Sequence, residues 1–218
     1  MDKKIRIGVM GCADIAQRLV IPAIQQLGEK FKLVGVASRT ADKARSFADR
    51  FACESIEGYN TLVLRDDIDA VYIPLPTGLH KEWIIKALEH GKHVYAEKSI
   101  AMNGIDAEDM VTCAKLNRVA LMEGYMFQYH KQHQVVKDLL KSNVIGEMRL
   151  IRASFGFPPF SDLANFRYDN KIGGGALKDV AGYVLRAVNF LNDNRFGVMS
   201  SNCLLYTSPS PRDISGSR

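Results

Sequence analysis

Four short stretches of the 218-residue sequence carry side chains suited to chemistry, and each stands where an apolar run ends. The first is Gly8-Val9-Met10-Gly11-Cys12-Ala13-Asp14-Ile15-Ala16. A pyrophosphate needs backbone N–H groups at a helix N-terminus and no side chain in its path, which is why glycines recur in such turns. Of the spacing G-x-G-x-x-G only Gly11 is present, with Ala13 and Ala16 at the other two places. Gly11, Cys12, Ala13, Asp14 and Ile15 are therefore candidate contacts to a dinucleotide, with a purely structural turn as the competing reading. The second stretch is Ser38-Arg39-Thr40, with Lys43 one turn later. An enzyme that uses NAD presents an acid here to the ribose 2′-hydroxyl. A hydroxyl and an arginine suit a 2′-phosphate instead, so NADP is the expected cofactor, with NAD as the alternative. An arginine merely solvated on a loop gives the same pattern.

The third stretch is Ile73-Pro74-Leu75-Pro76-Thr77-Gly78-Leu79-His80 and the fourth is Glu97-Lys98-Ser99. Ligands of an open parallel sheet bind beyond the carboxyl ends of its strands, so Pro74, Leu75, Pro76, His80, Glu97 and Lys98 are further candidate cofactor contacts. A lysine beside a carboxylate and a cationic nicotinamide can pass protons to and from a substrate hydroxyl, which makes Lys98 the candidate general acid/base. Taken singly, Lys98 also fits ordinary surface charge, and His80 fits a residue that starts its helix.

The scaffold these stretches require is visible in the hydrophobic pattern. Residues 5–10, 32–37, 70–75, 92–96 and 119–122 are apolar runs that read as strands. Helical periods fall between them at 14–27, 80–90 and 107–117, and Ala44, Phe47, Ala48 and Phe51 share one helical face. Strands that alternate with helices, each strand apolar on both faces, predict an α/β fold with a doubly wound parallel sheet. Residues 1–124 are assigned to this Rossmann unit. After Tyr125 the rhythm changes: 134–142 reads as amphipathic helix, 146–157 as a long strand and 175–191 as helix, with a long loop, 158–171, between the last two. Residues 125–202 are read as the incomplete start of a second domain.

The composition excludes several classes. With 47% hydrophobic residues the chain is globular, and no apolar stretch approaches the ~20 residues that span a bilayer, so a soluble cytoplasmic protein without membrane contact is expected. The net charge of +5 is spread among acids without basic stripes, which argues against nucleic acid. Cys12, Cys53, Cys113 and Cys203 lie far apart, so free thiols are expected, with neither a disulfide framework nor a metal site. From Cys203 the chain turns Ser/Pro-rich without period, and 203–213 reads residue for residue as the translation of a transposon-type sequencing adapter. Residues 203–218 are expected to be a non-native tail and are set aside in the fold reasoning.

Taken together, GVMGCADIA, PLPTGLHKEWIIKALEHGKHVYAEKS, MEGYMFQYHKQ, VIGEMRLIRASF and GGGALKDVAGY resemble the Gfo/Idh/MocA family of NAD(P)-dependent oxidoreductases, over about residues 4–191. The resemblance implies that an open antiparallel sheet of α+β type follows the Rossmann unit, closes the substrate site and usually dimerises, and that only its start is present here. By the family's Glu-Lys-Pro signature Lys98 is the proton donor and acceptor, with Ser99 where proline is usual, a change expected to loosen the turn. Asp179 and Tyr183 match the family's aspartate and His/Tyr pair, with Ala181 in place of a glycine; without the family they would read as an exposed helix face. Arg167 is implied to touch cofactor or substrate. The implied activity is hydride transfer between nicotinamide and a carbinol or keto carbon of a sugar, sugar nucleotide or cyclic polyol, by a homo-oligomer when intact. The alternatives are a non-sugar substrate of the dihydrodiol or biliverdin kind, and a non-catalytic NADP-binding regulator. Apolar faces of 146–157 and of the helix from 175 are expected to be exposed, with poor solubility and little activity for the 218 residues alone.

Overall fold

The structure, a computed structural model, describes residues 3–162 and 164–192. The expected tail 203–218, with Cys203, and residues 193–202 of the second unit lie outside the described residues. Six strands form one parallel sheet: β1 (Ile5–Met10), β2 (Phe31–Ser38), β3 (Glu54–Glu57), β4 (Ala70–Ile73), β5 (His93–Ala96) and β6 (Leu121–Glu123). Their order is β3-β2-β1-β4-β5-β6, so the chain reverses direction across the sheet between β1 and β4. A crevice opens at such a switch point, beyond the strand ends.

Successive side chains of β1 serve opposite faces. Val9 packs with Ala16, Ile21, Val36 and Tyr72, whereas Met10 packs with Ile73, Ile84, Leu88 and Met110. Two cores, one per face, are what make the central strands apolar on both sides. They are closed by α1 (Ile21–Gln26) and α2 (Ala41–Phe51) on one side and by α3 (Tyr59–Val63), α4 (His80–Glu89) and α5 (Gly104–Asn117) on the other. The predicted helix 14–27 forms over 14–26, with Ala16–Val20 as a π turn. Pro22 explains the widened turn: it has no N–H for the carbonyl four residues back, and its ring crowds that carbonyl. α5 starts three residues earlier than expected because Asn103 caps it, accepting from the Asp106 N–H at 2.9 Å.

Several elements differ from the sequence pattern. β3 and α3 lie in a stretch to which that pattern assigned no element; β3 is the polar segment ESIE with only Ile56 buried, an edge strand without an apolar run. Residues 147–160 form no strand, because an extended segment keeps regular structure only beside a ladder partner and none stands beside it among the described residues. The helix 175–191 is broken at Val180 into α7 (Ala176–Asp179) and α8 (Ala181–Leu191). The break has a local cause: the Asp179 carbonyl accepts from Lys98 Nζ at 2.8 Å, and the Tyr183 N–H turns to the Val180 carbonyl instead. The helix expected at 134–142 begins earlier, as α6 (Lys131–Lys141). Leu150, Phe155, Phe157, Leu177 and Leu185 are all exposed, which makes the expected apolar surface of these two segments.

Candidate active site

A cleft of 660 Å³ runs along the carboxyl ends of the strands, between the Rossmann unit and the segment 155–183. One end is built by the turn after β1. Gly11 adopts φ +115°, and a Cβ there would stand 2.8 Å from Leu75 Cδ2, so the turn approaches the β4 end on main chain alone. Its N–H donates to the Ala37 carbonyl at 2.9 Å, which pins the turn to β2. Cys12, Ala13, Asp14 and Ile15 line the cleft, as do Arg39 and Lys43 beyond β2 and Pro74, Leu75 and Pro76 beyond β4. Burial pushes the Cys12 thiol up from its usual range. Ser38 and Thr40 do not line the cleft; Ser38 is buried at the end of β2, and Thr40 precedes α2.

His80 is corrected from a cofactor contact to a tie beneath the floor. It is 0% exposed, with Nε2 2.8 Å from the Leu75 carbonyl and Nδ1 3.0 and 3.2 Å from those of Ser99 and Ile100. A neutral imidazole carries one N–H, so the ring donates either to the Leu75 carbonyl at the end of β4 or to the Ser99 and Ile100 carbonyls beyond β5, and it packs between the two strand ends. Burial keeps the imidazole below its ordinary pKa against the pull of the carbonyls.

The other end is built by Glu97, Lys98, Arg167, Asp179 and Tyr183. Lys98 Nζ donates to Asp179 Oδ1 at 2.7 Å, and Arg167 Nε donates to Asp179 Oδ2 at 3.0 Å. Two cations thus share one carboxylate, whose side chain is 11% exposed, and the set carries one net positive charge facing the cleft. Tyr183 places its ring 5.2 Å from Lys98 Nζ and stacks on Phe155 at 4.8 Å. Burial pushes the Tyr183 phenol up, so it is a donor at neutral pH. The Gly173 turn carries this half of the site: at φ +96° its Cβ would stand 2.6 Å from Thr77 Cβ, so the chain rests on the turn after β4.

Glu97 is nearly buried and accepts from the Tyr72 hydroxyl at 2.7 Å. Desolvation raises its carboxyl above the usual 4.5 in spite of that bond. A raised carboxyl pKa favours the fold below the unfolded value and loses that contribution as pH rises through the folded value. Glu97→Gln should therefore gain melting temperature relative to the wild type between pH 5 and pH 8. A gap that stays constant or shrinks over this range would count against the buried charge.

Sequence reasoning missed the aromatic side of the cleft, formed by Phe155, Phe157, Phe160 and Phe166, with Arg167 stacked 4.9 Å from Phe160 and 4.6 Å from Phe166. Phe155 and Phe157, two apart in an extended segment, carried the signal, since such residues face the same side. Tyr59, edge-on to Trp83 at 5.1 Å and lining the cleft near Arg39, gave none.

Residues 5–125 match the model of the oxidoreductase family with an NAD-binding Rossmann fold, and residues 133–201 match the GFO/IDH/MocA C-terminal domain. The chain belongs to the GFO/IDH/MocA oxidoreductase family. Among members of the family, it is 49% identical over 187 residues to a dTDP-3,4-didehydro-2,6-dideoxy-alpha-D-glucose 3-reductase of Saccharopolyspora spinosa, covering 86% of this chain and 56% of that one. It is 28% identical to a trans-1,2-dihydrobenzene-1,2-diol dehydrogenase of Xenopus laevis, covering 84% and 56%. A 3-ketoreductase from Actinomadura kijaniata, solved with NADP and TDP-benzene, superposes with a TM-score of 0.83 at 45% identity, over 87% of this chain and 58% of that one. The chain thus spans somewhat over half the length of these GFO/IDH/MocA relatives. No helix among its described residues is long and apolar enough to cross a membrane.

Proposed function

We propose that the intact protein is an NADPH-dependent reductase of a keto group on a nucleotide-activated sugar. The observation that carries this reading is Lys98, held at the strand end by Asp179 with Tyr183 beside it, between a dinucleotide turn and an aromatic wall. The residues present fit NADP: Gly11 leaves the turn open for a pyrophosphate, and Arg39 with Lys43 offers cations to a 2′-phosphate. When bound, NADPH supplies the hydride that adds to the carbonyl carbon. As the C=O electrons move to oxygen, Lys98 gives that oxygen a proton and becomes the neutral amine, which solvent reprotonates. The net positive charge of the Lys98–Asp179–Arg167 set stabilises the developing oxyanion, and the Tyr183 hydroxyl is a second donor to it. Asp179, with both oxygens engaged, orients Lys98 and takes no proton itself. The 3-reductase and 3-ketoreductase relatives support the nucleotide-sugar substrate.

The experiment follows NADPH absorbance with the intact protein in three assays: NADPH oxidation with a dTDP-activated 3-keto sugar, NADPH oxidation with the same sugar without its nucleotide, and NADP reduction with a trans-dihydrodiol of an arene. Turnover of the first alone bears the reading out. Turnover of the diol alone replaces it with the second reading, which the aromatic wall and the dihydrodiol dehydrogenase relative favour. Turnover of none of the three removes the reductase reading.

A further inference from the structure

Ser99, Tyr125 and Gly182 make a contact that the reaction described above does not use. The Ser99 hydroxyl donates to the Lys178 carbonyl at 2.6 Å, joining the end of β5 to the residue before Asp179. Tyr125, just after β6, is 7% exposed, and its ring stands edge-on to Tyr183 at 5.5 Å and to Phe127 at 6.5 Å. Its hydroxyl lies beside Ser99 and against Gly182. A Cβ at 182 would overlap that hydroxyl oxygen and stand 3.1 Å from ring carbon Cζ and 3.6 Å from Ser99 Oγ. Gly182 sits in the first turn of α8 without a positive φ, so its backbone does not call for glycine, and in a helix glycine costs about 1 kcal/mol against alanine. Space is the reason for it. The residue also lies in the chain between Asp179 and Tyr183, the two side chains that meet Lys98.

We propose that Ser99, Tyr125 and Gly182 are positioning residues: they set how deeply the α7–α8 corner seats on the end of β5, and through it the Lys98–Asp179 pair and Tyr183. A methyl group at 182 is accommodated only by withdrawing α8 or by tilting Tyr125, and the rings of Tyr183 and Phe127 oppose the tilt. Either movement draws Asp179 and Tyr183 away from Lys98. Ser99 holds the same corner from the other side, a bond that an imino acid at this place cannot make.

The inference rests on the reading of Lys98 above for its activity readout, so a second readout is taken that needs no substrate: the rate at which an amine-directed acylating reagent labels Lys98, followed by peptide mass spectrometry. In the intact protein, Gly182→Ala should lower turnover by about 10- to 100-fold and leave NADPH affinity unchanged, as a displacement of about 1 Å in a catalytic pair does. Lys98 labelling should accelerate in the same variant. Adding Tyr125→Phe removes the overlapping oxygen and should return most of the turnover and the slow labelling. Ser99→Ala adds no bulk and should also speed labelling. Wild-type turnover and labelling in Gly182→Ala would overturn the proposal, as would a loss that Tyr125→Phe fails to reverse. If Gly182→Ala does not fold, Ser99→Ala decides, and unchanged labelling there overturns the proposal. If the wild type reduces none of the substrates tried, the labelling rates alone decide, so the two readings fail separately.

Discussion

Lys98→Ala in the intact protein is expected to lower turnover by about 10²–10⁴-fold, the range that positioned proton transfer contributes, while NADPH still binds. The separation of the two effects follows from the geometry. Lys98 gives two of its protons to Asp179, at Oδ1 and at the backbone carbonyl, which leaves one for the cleft. Removing the side chain does not abandon the buried carboxylate, because Arg167 still donates to Oδ2, so the corner stays seated. Lys98→Arg sharpens the test: the charge remains, but a guanidinium does not release a proton in this pH range, so turnover should stay close to that of the alanine variant. Steady-state NADPH oxidation with fluorescence titration of the cofactor measures both quantities. A loss in turnover smaller than about tenfold would remove the lysine from proton transfer.

Arg39→Asp should weaken NADP binding by about 10- to 100-fold and leave NAD nearly unaffected, since each charge-assisted bond to a phosphate contributes about 1.5–3 kcal/mol. The new carboxylate adds repulsion toward the 2′-phosphate and offers the ribose hydroxyl of NAD an acceptor. Arg39 is exposed at the outer end of the cleft, so part of its preference should fade with added salt. Isothermal titration with both cofactors measures the ratio, and equal losses for the two would refute the phosphate contact.

The nucleotide half of the fold is legible in the sequence because its strands are buried on both faces: Val71, Tyr72 and Ile73 read as one apolar run since all three are covered. β3 escapes the same reasoning, for Glu54, Ser55 and Glu57 face solvent and only Ile56 enters the core. Residues 146–157, which read as a long strand, illustrate the converse, since a strand needs a neighbour to realise its pairing. Within the site, Lys98 is visible from its place at a strand end, and Asp179 with Tyr183 from the family pattern. The grip of Arg167 on Asp179 and of Ser99 on Lys178 joins residues 12 and 79 positions apart. No local period announces such pairs. His80 shows how a place in the chain can suggest ligand contact while the fold buries the side chain: its ring is fully covered among the backbone carbonyls at the ends of β4 and β5.

The polar character of β3 has a consequence for assembly. As the outermost strand on its side, it offers unpaired main-chain groups to any passing chain, but it is four residues long and carries Glu54 and Glu57 outward. β6, at the opposite margin, has three residues. Short and charged borders discourage lateral pairing. Among the described residues, both margins of the sheet are thus poor templates for the lateral addition of a further strand.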